Sequence, residues 1–213
     1  MQSSETKSSE SGRKRAENSL ARHNAQNEAT GLYIVATPIG NARDITLRAL
    51  DVLGSCDLIA AEDTRVTAKL LAIYGISKPL TPYNDHNAAR ERPRLLARLA
   101  GGARVALVSD AGTPLISDPG YKLVREALAK GLSVHAVPGP SAALTALTLA
   151  GLPTDRFLFA GFLPAKQGER RRTLEEICGV TASLIFFESS RRIAEALADL
   201  HSVLGDRHAA VTR

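Results

Sequence analysis

The stretch RVALVSDAGTPLISDPG, residues 104–120, carries the strongest structural signal in this sequence. Its apolar run, residues 105–108, predicts a buried β-strand that ends abruptly at Ser109 and Asp110. Two glycines, two prolines and a second aspartate, Asp118, follow within ten residues. In open α/β sheets, ligands bind where such loops leave the carboxyl ends of the strands. Ordinary turn chemistry gives the same composition, so this stretch alone leaves both interpretations open.

The segments on either side of this stretch alternate between strand and helix patterns. Apolar runs predict four further strands, and apolar residues at three- and four-residue spacing predict the helices between them. This alternation predicts an α/β domain over residues 31–150 with a largely parallel sheet. Pro82 places the third strand at a sheet edge or strand end. The other strands are predicted at 32–36, 56–61, 78–83 and 133–137, and the helices at 45–53, 66–74, 88–99, 121–130 and 142–150.

Polar clusters follow most of these strands directly. Residues 62–65 (EDTR), residues 84–87 (NDHN) and Asp110 each come at the carboxyl end of a strand. Such ends share one edge of a parallel sheet, so these residues predict a polar cleft there. Residues 138–141 (PGPS) open a helix whose free N–H groups can receive an anion. Asp44 is expected to cap the helix at 45–53.

The pattern changes after residue 150. Residues 151–156 read as a linker, and residues 157–213 predict a second α/β domain with strands at 157–161 and 183–187 and helices at 172–178 and 193–204. The run at 166–172 contains four bases and one acid. It is either a solvated loop or, for an RNA partner, a loop that contacts phosphates. Residues 209–213 resemble the start of another strand.

Composition narrows the class of protein. The 213 residues allow one large domain or one domain and part of another, and 44% are hydrophobic, as in a globular core. The net charge of +5 is compatible with a nucleic-acid partner. Two distant cysteines predict neither a disulfide nor a metal site. Without a membrane span or a signal peptide pattern, the sequence predicts a soluble, cytoplasmic protein.

The first 30 residues differ from the rest because they are polar and nearly free of aliphatic side chains. Such a segment buries too little apolar surface to offset ordering, so it predicts a disordered tail. Common nucleotide and hydrolase signatures are missing: the sequence contains no Walker A pattern, no G-x-G-x-x-G after a strand and no G-x-S-x-G. Residue patterns alone therefore indicate an α/β protein with a polar cleft for a small ligand.

Seven motifs, taken together in chain order, resemble the tetrapyrrole methylase superfamily, and within it the members that methylate ribosomal RNA. They are LYIVATPIGN (32–41), AEDTR (61–65), DHN (85–87), VSDAGTPLISDPG (108–120), PGPSA (138–142), GFLPAK (161–166) and FES (187–189). The resemblance covers residues 31–213. It implies two α/β domains that bind S-adenosylmethionine in a cleft between them, and a homodimer. The implied reaction is 2′-O-methylation of a cytidine ribose in 16S rRNA at the decoding centre.

The resemblance also assigns cofactor contacts by motif. These are Pro38, Asp110, Ala111, Gly112, Ile116, Ser141, Ala142 and Phe187. It identifies no general base, so the acids and the histidine of the cleft are all candidates: Glu62, Asp63, Asp85 and His86. Four basic residues are candidates for phosphate contacts to RNA. They are Arg43, Arg65, Lys166 and Arg170. The reaction requires no metal.

One departure from the family qualifies this expectation. Its members continue for some seventy residues beyond the point that matches Arg213, beginning with a segment RELTK. A truncated second domain with an incomplete sheet is therefore expected. Two alternatives stay open: a non-catalytic remnant that binds cofactor or RNA, and a methylase that acts on a tetrapyrrole carbon.

Overall fold

The computed structural model describes residues 29–213, which divide into two compact units, one ending at Pro140 and the other running from Ser141 to Arg213. The predicted disordered tail falls almost wholly on residues 1–28, outside the described residues. The predicted domain boundary at residue 150 lies at the far end of a helix that begins directly after Pro140. Each unit is described by itself below.

The first unit is a five-stranded parallel sheet in the order β3-β2-β4-β1-β5. The strands are β1 (Gly31–Val35), β2 (Leu58–Ala61), β3 (Leu80–Pro82), β4 (Arg104–Val108) and β5 (Val134–Val137). The helices are α1 (Leu47–Ser55), α2 (Thr64–Ile73), α3 (Ala88–Ala100) and α4 (Tyr121–Ala129). The predicted α/β class and the predicted edge position of β3 are confirmed.

Helices cover both faces of this sheet, which explains why its central strands are apolar throughout. Ala49, Val52 and Leu53 of α1 and Leu71 of α2 pack on one face. Leu95, Leu96 and Leu99 of α3 and Leu123 and Ala127 of α4 pack on the other. The strand β4 lies between β1 and β2. The helices that follow β1 and β2, α1 and α2, cover one face of the sheet, whereas α4, which follows β4, covers the other. Chains that leave neighbouring strands toward opposite faces open a crevice at the carboxyl edge.

The second unit is built on a parallel pair of strands, β6 (Phe157–Phe162) and β7 (Ser183–Phe187). Its helices are α5 (Ala142–Leu149), α6 (Gln167–Ile177) and α7 (Ile193–Leu204). Ala143 and Leu147 of α5 pack with Ile185 of β7. The register between the two strands shifts between Phe159 and Gly161.

Three local predictions are wrong. Asp44 does not cap α1: it lies in a 3₁₀ turn (Ala42–Asp44), and the Thr46 side chain caps the helix by accepting from the Ala49 N–H at 3.1 Å. The basic run at 166–172 is not a loop, because α6 begins at Gln167. Residues 209–213 form no strand, and the sheet of the second unit consists of β6 and β7.

A buried ion pair joins α6 to α7. Arg170 donates from Nε to Asp199 Oδ2 at 2.8 Å, its Nη2 lies 2.6 Å from the same oxygen, and its Nη1 donates to the Ala165 carbonyl at 3.1 Å. The two side chains are only 2% and 3% exposed. Burial raises the pKa of Asp199, but hydrogen bonds from Arg170 and Gln167 outweigh it and lower that pKa. Arg170, predicted as an RNA contact, is therefore turned inward and serves the packing of these helices.

Replacing Arg170 with methionine is expected to lower the free energy of unfolding by about 3–5 kcal/mol, because Asp199 then keeps a buried charge without its main partner. Denaturant unfolding measures this loss. Lys166→Ala is the control: its pair with Glu169 is 82% and 56% exposed, so removing it costs less than about 1 kcal/mol. Equal losses in the two variants would contradict a structural role for Arg170.

Candidate functional site

A two-residue bridge ties the loop after β1 to the loop after β4. The Thr37 N–H donates to the Gly112 carbonyl at 2.9 Å, and the Gly112 N–H donates back to the Thr37 carbonyl at 3.0 Å. The Thr37 hydroxyl donates to the Ser109 carbonyl at 3.1 Å. Gly112 has a φ of +79°, and a Cβ there would lie 3.4 Å from Ile39 Cγ2. A glycine therefore suits this close approach of the two loops.

A second exchange ties the loop after β4 to the loop after β2. The Asp63 N–H donates to Asp110 Oδ1 at 2.9 Å, and the Asp110 N–H donates to Glu62 Oε2 at 3.3 Å. Each loop thus uses a carboxylate to bind a backbone N–H of the other. The arrangement fixes both acids at the carboxyl edge of the sheet without neutralising them.

The loop after β4 also contains backbone strain. Leu115 and Ser117 have φ values of +74° and +64°, in the region that non-glycine residues rarely adopt. Such conformations cost about 1–3 kcal/mol each and cluster at sites of function. The loop is anchored on either side of them, since the Thr113 hydroxyl donates to the Pro140 carbonyl at 3.0 Å and Gly120 begins α4.

These loops and α2 enclose a pocket of about 370 Å³ within the first unit. This volume falls within the roughly 300–1,000 Å³ of small-molecule sites. One wall is polar backbone and the Asp110 carboxylate, and the other is the apolar side of α2. The lining residues are Thr37, Pro38, Ile39, Gly40, Ala42, Val66, Thr67, Leu70, Ile73, Ser109, Asp110 and Ala111.

The acids of this edge raise one another's pKa. Burial, and then the charges of Asp118, Asp110 and Asp85, raise the pKa of Glu62 above its ordinary value, although the hydrogen bond from the Asp110 N–H acts against them. Burial, and then the charges of Asp110 and Asp85, likewise raise the pKa of Asp118, against a hydrogen bond from Ser109. Mutual repulsion of this kind is relieved when a cation binds.

Asp63 behaves differently from its neighbours. Its carboxylate accepts the Arg65 N–H at 2.8 Å and pairs with the Arg65 guanidinium, whose Nη2 lies 2.6 Å from Oδ2. Hydrogen bonds from Arg65 lower the pKa of Asp63 to about 2. Asp63 is also the N-cap of α2. Its contacts are therefore those of a capping residue that positions the loop.

The loop after β3 borders the same edge. Asn84 Nδ2 donates to the Glu62 carbonyl at 3.4 Å, and Asn87 fixes the turn by accepting the Asn84 N–H and donating to the Pro82 carbonyl. Asp85 and His86 between them are exposed. Asp85 is close enough for its charge to raise the pKa of Glu62.

The structure gathers only some of the predicted site residues in one place. Pro38, Asp110 and Ala111 line the pocket and Gly112 adjoins it, whereas Ile116 is 43% exposed in the strained loop outside the lining. Ser141 and Ala142, at the start of α5, and Phe187, at the end of β7, belong to the second unit. Arg43 is exposed in the 3₁₀ turn, and Lys166 is exposed at the start of α6.

Sequence reasoning missed the apolar wall of the pocket. Val66, Leu70 and Ile73 recur at four- and three-residue spacing on α2, beside the buried positions Thr67 and Leu71. Val66 and Ile73 remain 39% and 64% exposed. The sequence of α2 shows this second stripe, because the helix carries more apolar residues than are needed to pack one of its faces against the sheet.

A larger and more open depression of about 610 Å³ lies in the second unit, between residues 155–158 and 180–182. It borders the amino ends of β6 and β7, whereas ligands of parallel sheets bind at the carboxyl ends. It contains none of the predicted site residues. Within residues 29–213, no cluster of His, Cys, Asp or Glu could hold a metal ion, and no helix is long and apolar enough to cross a membrane.

A parallel α/β sheet with a pocket beside Asp110 at its carboxyl edge defines a class of small-ligand-binding proteins. Comparison with known proteins identifies the family. The chain belongs to the tetrapyrrole (corrin/porphyrin) methylases, whose family model matches residues 31–213. The resemblance carried by the seven motifs is confirmed.

The curated relatives with similar sequences are named as methyltransferases of ribosomal RNA. Over 183 residues the chain is 58% identical to the Ribosomal RNA small subunit methyltransferase I of Mesorhizobium japonicum, which covers 85% of this chain and 62% of that protein. The protein of the same name in Escherichia coli O157:H7 is 54% identical over 85% of this chain and 64% of its own length. The chain thus spans less than two thirds of the length of these relatives.

Solved structures share the fold at lower identity. Diphthine synthase matches with a TM-score of 0.62 and 18% identity, over 80% of this chain and 70% of that one. Uroporphyrin-III-C-methyltransferase from Thermus thermophilus matches with a TM-score of 0.51 and 24% identity, over 69% and 74%. These likenesses confirm the predicted fold class.

The repulsion among the acids gives a stability prediction. The folded state raises the pKa of Glu62, so ionised Glu62 costs stability once the pH exceeds its ordinary pKa near 4.5. Glu62→Gln is expected to raise the free energy of unfolding at pH 7 by less than about 1 kcal/mol, because solvent screens this half-buried site. The gain should vanish below about pH 4, where glutamate is protonated in both states.

Asp63→Asn provides a control of opposite sign. The folded state lowers the pKa of Asp63, so its charge adds stability above the ordinary aspartate pKa of about 4, and that stability is lost as the pH falls. This variant should be less stable than the original chain at pH 7. Denaturant unfolding at pH 3, 5 and 7 measures both variants, and the same sign for the two at pH 7 would refute the assignment.

Proposed function

We propose that this chain belongs to an S-adenosylmethionine-dependent methyltransferase that modifies the 2′-hydroxyl of a cytidine ribose in 16S rRNA at the decoding centre. The observation that carries the proposal is the pocket beside Asp110, formed by the family's motifs, in a chain 58% identical to a protein named for small-subunit ribosomal RNA. A ribosomal substrate implies activity in the cytoplasm.

The pocket suits this cofactor by its chemistry. A sulfonium and an ammonium are cations, and the edge presents Asp110, Glu62 and Asp118. Burial, and then the charges of neighbouring acids, raise the pKa values of Glu62 and Asp118. The apolar wall of Val66, Leu70 and Ile73 suits the flat face of an adenine. Pro38, Ala111 and Gly112 provide close backbone on the opposite side. Ile116, Ser141, Ala142 and Phe187 remain proposed contacts from the family motifs.

S-adenosylmethionine supplies an activated methyl group when bound. The protein's part is to align that group with the ribose oxygen, and such positioning contributes several kcal/mol. The bridged loops after β1, β2 and β4 suit this role because they hold Asp110 by hydrogen bonds on both of its sides. Exclusion of water by the apolar wall strengthens the contacts of the acids with a cation.

Among the four candidate bases, Glu62 fits proton transfer best. A base works best when its pKa approaches the ambient pH, and the pKa of Glu62 is raised toward it. Asp63, with a pKa of about 2 and a partner in Arg65, fits a positioning role. Asp85 and His86 are exposed on the neighbouring loop and stay second candidates, on the side where RNA would approach. Arg43, Arg65 and Lys166 are proposed to contact phosphates.

The proposal extends to assembly and to its alternatives. A homodimer is proposed from the family, and the exposed Leu144 and Leu149 of α5 offer apolar surface for one. Sedimentation equilibrium tests this.

A tetrapyrrole substrate is the alternative that the family name suggests. Offering a precorrin and ribosomal RNA side by side separates the two substrates. A chain that binds ligand without transferring methyl would be the non-catalytic remnant.

The cofactor proposal predicts a specific loss of binding. Asp110→Ala is expected to weaken S-adenosylmethionine binding at least tenfold in calorimetric titration, because it removes a carboxylate from the pocket wall and an acceptor from the Asp63 N–H. Glu176→Ala removes the same charge from the exposed face of α6 and should bind like the original chain. Undetectable binding by the unaltered chain would reject the pocket as a cofactor site.

The catalytic proposal predicts a loss of rate far larger than any loss of cofactor affinity. Glu62→Gln keeps the shape of the side chain and is expected to lower kcat about 10²- to 10⁴-fold, as removal of a general base does. Transfer of labelled methyl to small-subunit RNA, and to assembled small subunits, measures this. His86→Ala and Asp63→Ala are run in parallel, and a larger loss in either one would assign the base differently.

A further inference from the structure

The surface formed by α3 and α4 is rich in basic side chains. The α3 helix carries four arginines against one glutamate, and α4 with its C-cap carries Lys122, Arg125 and Lys130 against Glu126. We call the exposed side chains Arg90, Arg94, Arg98, Lys122 and Arg125 the basic face. We propose that the basic face binds the phosphate backbone of RNA outside the pocket, an inference that rests on the proposed RNA substrate.

The spacing of the arginines places them in one row along α3. Arg90, Arg94 and Arg98 are four residues apart, so they share one side of α3. Leu95, Leu96 and Leu99 occupy the opposite, buried side. At 1.5 Å per residue, the three α-carbons span about 12 Å along the helix axis.

The two acids of these helices offset only part of this charge, because Glu91 pairs with two of the five cations of the basic face and Glu126 pairs with Arg92. Glu91 is largely buried and accepts from Arg90 at 2.8 Å and from Arg94 at 3.1 Å, so one carboxylate holds two guanidinium groups in place. Hydrogen bonding from Arg90 lowers the pKa of Glu91. Glu126 lies 2.7 Å from Arg92 Nε, a contact that joins the two helices. Within residues 29–213, Arg98, Lys122 and Arg125 form no ion pair with a carboxylate.

An aromatic side chain interrupts the basic face where it meets the candidate site. Tyr121 is 63% exposed, and the Arg125 guanidinium lies 5.7 Å from its ring centroid. Cationic side chains beside an exposed aromatic ring are the combination that holds single-stranded nucleic acid, through phosphates and base stacking. An acidic protein partner would be attracted by the positive charge alone and would not need the exposed aromatic ring.

The basic face also begins at the edge that contains the pocket. Tyr121 directly follows the strained loop at residues 110–120, and Arg90 lies in the first turn of α3, just after the loop that holds Asp85 and His86. The pocket lies on the α2 side of the sheet, so an RNA strand with one ribose there would cross this edge to reach α3 and α4. Contacts of this kind hold the substrate in register without reading its sequence.

The test measures RNA binding as a function of salt. Arg98→Ala/Arg125→Ala removes one cation from each helix and breaks no carboxylate pair. The variant is expected to bind small-subunit RNA about tenfold more weakly at 50 mM salt and to lose about 2 from the slope of log K against log[salt], about 1 per lost phosphate contact. An unrelated RNA of equal length should lose affinity to the same extent, and S-adenosylmethionine binding should not change.

Lys69→Ala/Arg156→Ala is the matched control, because it removes two exposed cations that lie outside both the basic face and the basic run at 166–172. It should leave the salt slope within error of the original. An equal loss in the control, or no loss in the Arg98/Arg125 variant, would overturn the proposal. So would a variant that loses binding to phosphatidylserine vesicles and keeps its binding to RNA. Failure of the unaltered chain to bind any RNA would instead reject the RNA substrate itself.

Discussion

The exchange of hydrogen bonds between Asp110 and the Glu62–Asp63 pair determines the geometry of the candidate site. Neighbouring parallel strands deliver their loops to one edge, but nothing in the sheet itself fixes how far those loops diverge. Here a carboxylate from each loop binds a backbone N–H of the other. The Thr37–Gly112 bridge fixes the loop after β1 through a reciprocal pair of backbone hydrogen bonds. The consequence is a pocket whose walls are preorganised. Preorganised groups serve binding and catalysis because they do not have to be ordered when ligand arrives.

This arrangement costs stability. Glu62, Asp110, Asp118 and Asp85 repel one another at neutral pH, and the loop carries two non-glycine residues with positive φ. Selection for stability alone would remove such features, since amide side chains and glycines are available at these positions. The proposed cationic cofactor would explain their presence together at one sheet edge. The buried pair of Arg170 and Asp199 shows the contrast: there a carboxylate in the second unit is matched by a guanidinium and contributes to packing.

The class of fold was predictable because the first unit has strong and consistent patterns. Its central strands β1, β2 and β4 are buried and mostly apolar, and amphipathic helices alternate with the strands. Residues near helix ends were less predictable. Thr46 rather than Asp44 caps α1, since which of several polar residues accepts the N–H depends on where the chain turns. The orientation of Arg170 could not be read at all, because its partner Asp199 lies 29 residues away on another helix. The apolar wall on α2 was visible in the sequence as a second stripe, but a stripe alone does not distinguish a pocket from a packing surface.

The two kinds of charge in the first unit suggest a division of labour. Acids lie at the sheet edge around the pocket, whereas the cations of α3 and α4 lie on the outer surface that leads away from it. A pocket that contained both signs would pair them internally and leave little free charge for a ligand. Under the proposed function, this separation leaves the acids free to attract a cationic cofactor and the basic face free to attract a polyanionic substrate. The buried Glu91 makes this separation possible, since it anchors Arg90 and Arg94 from beneath and leaves their other donors facing outward.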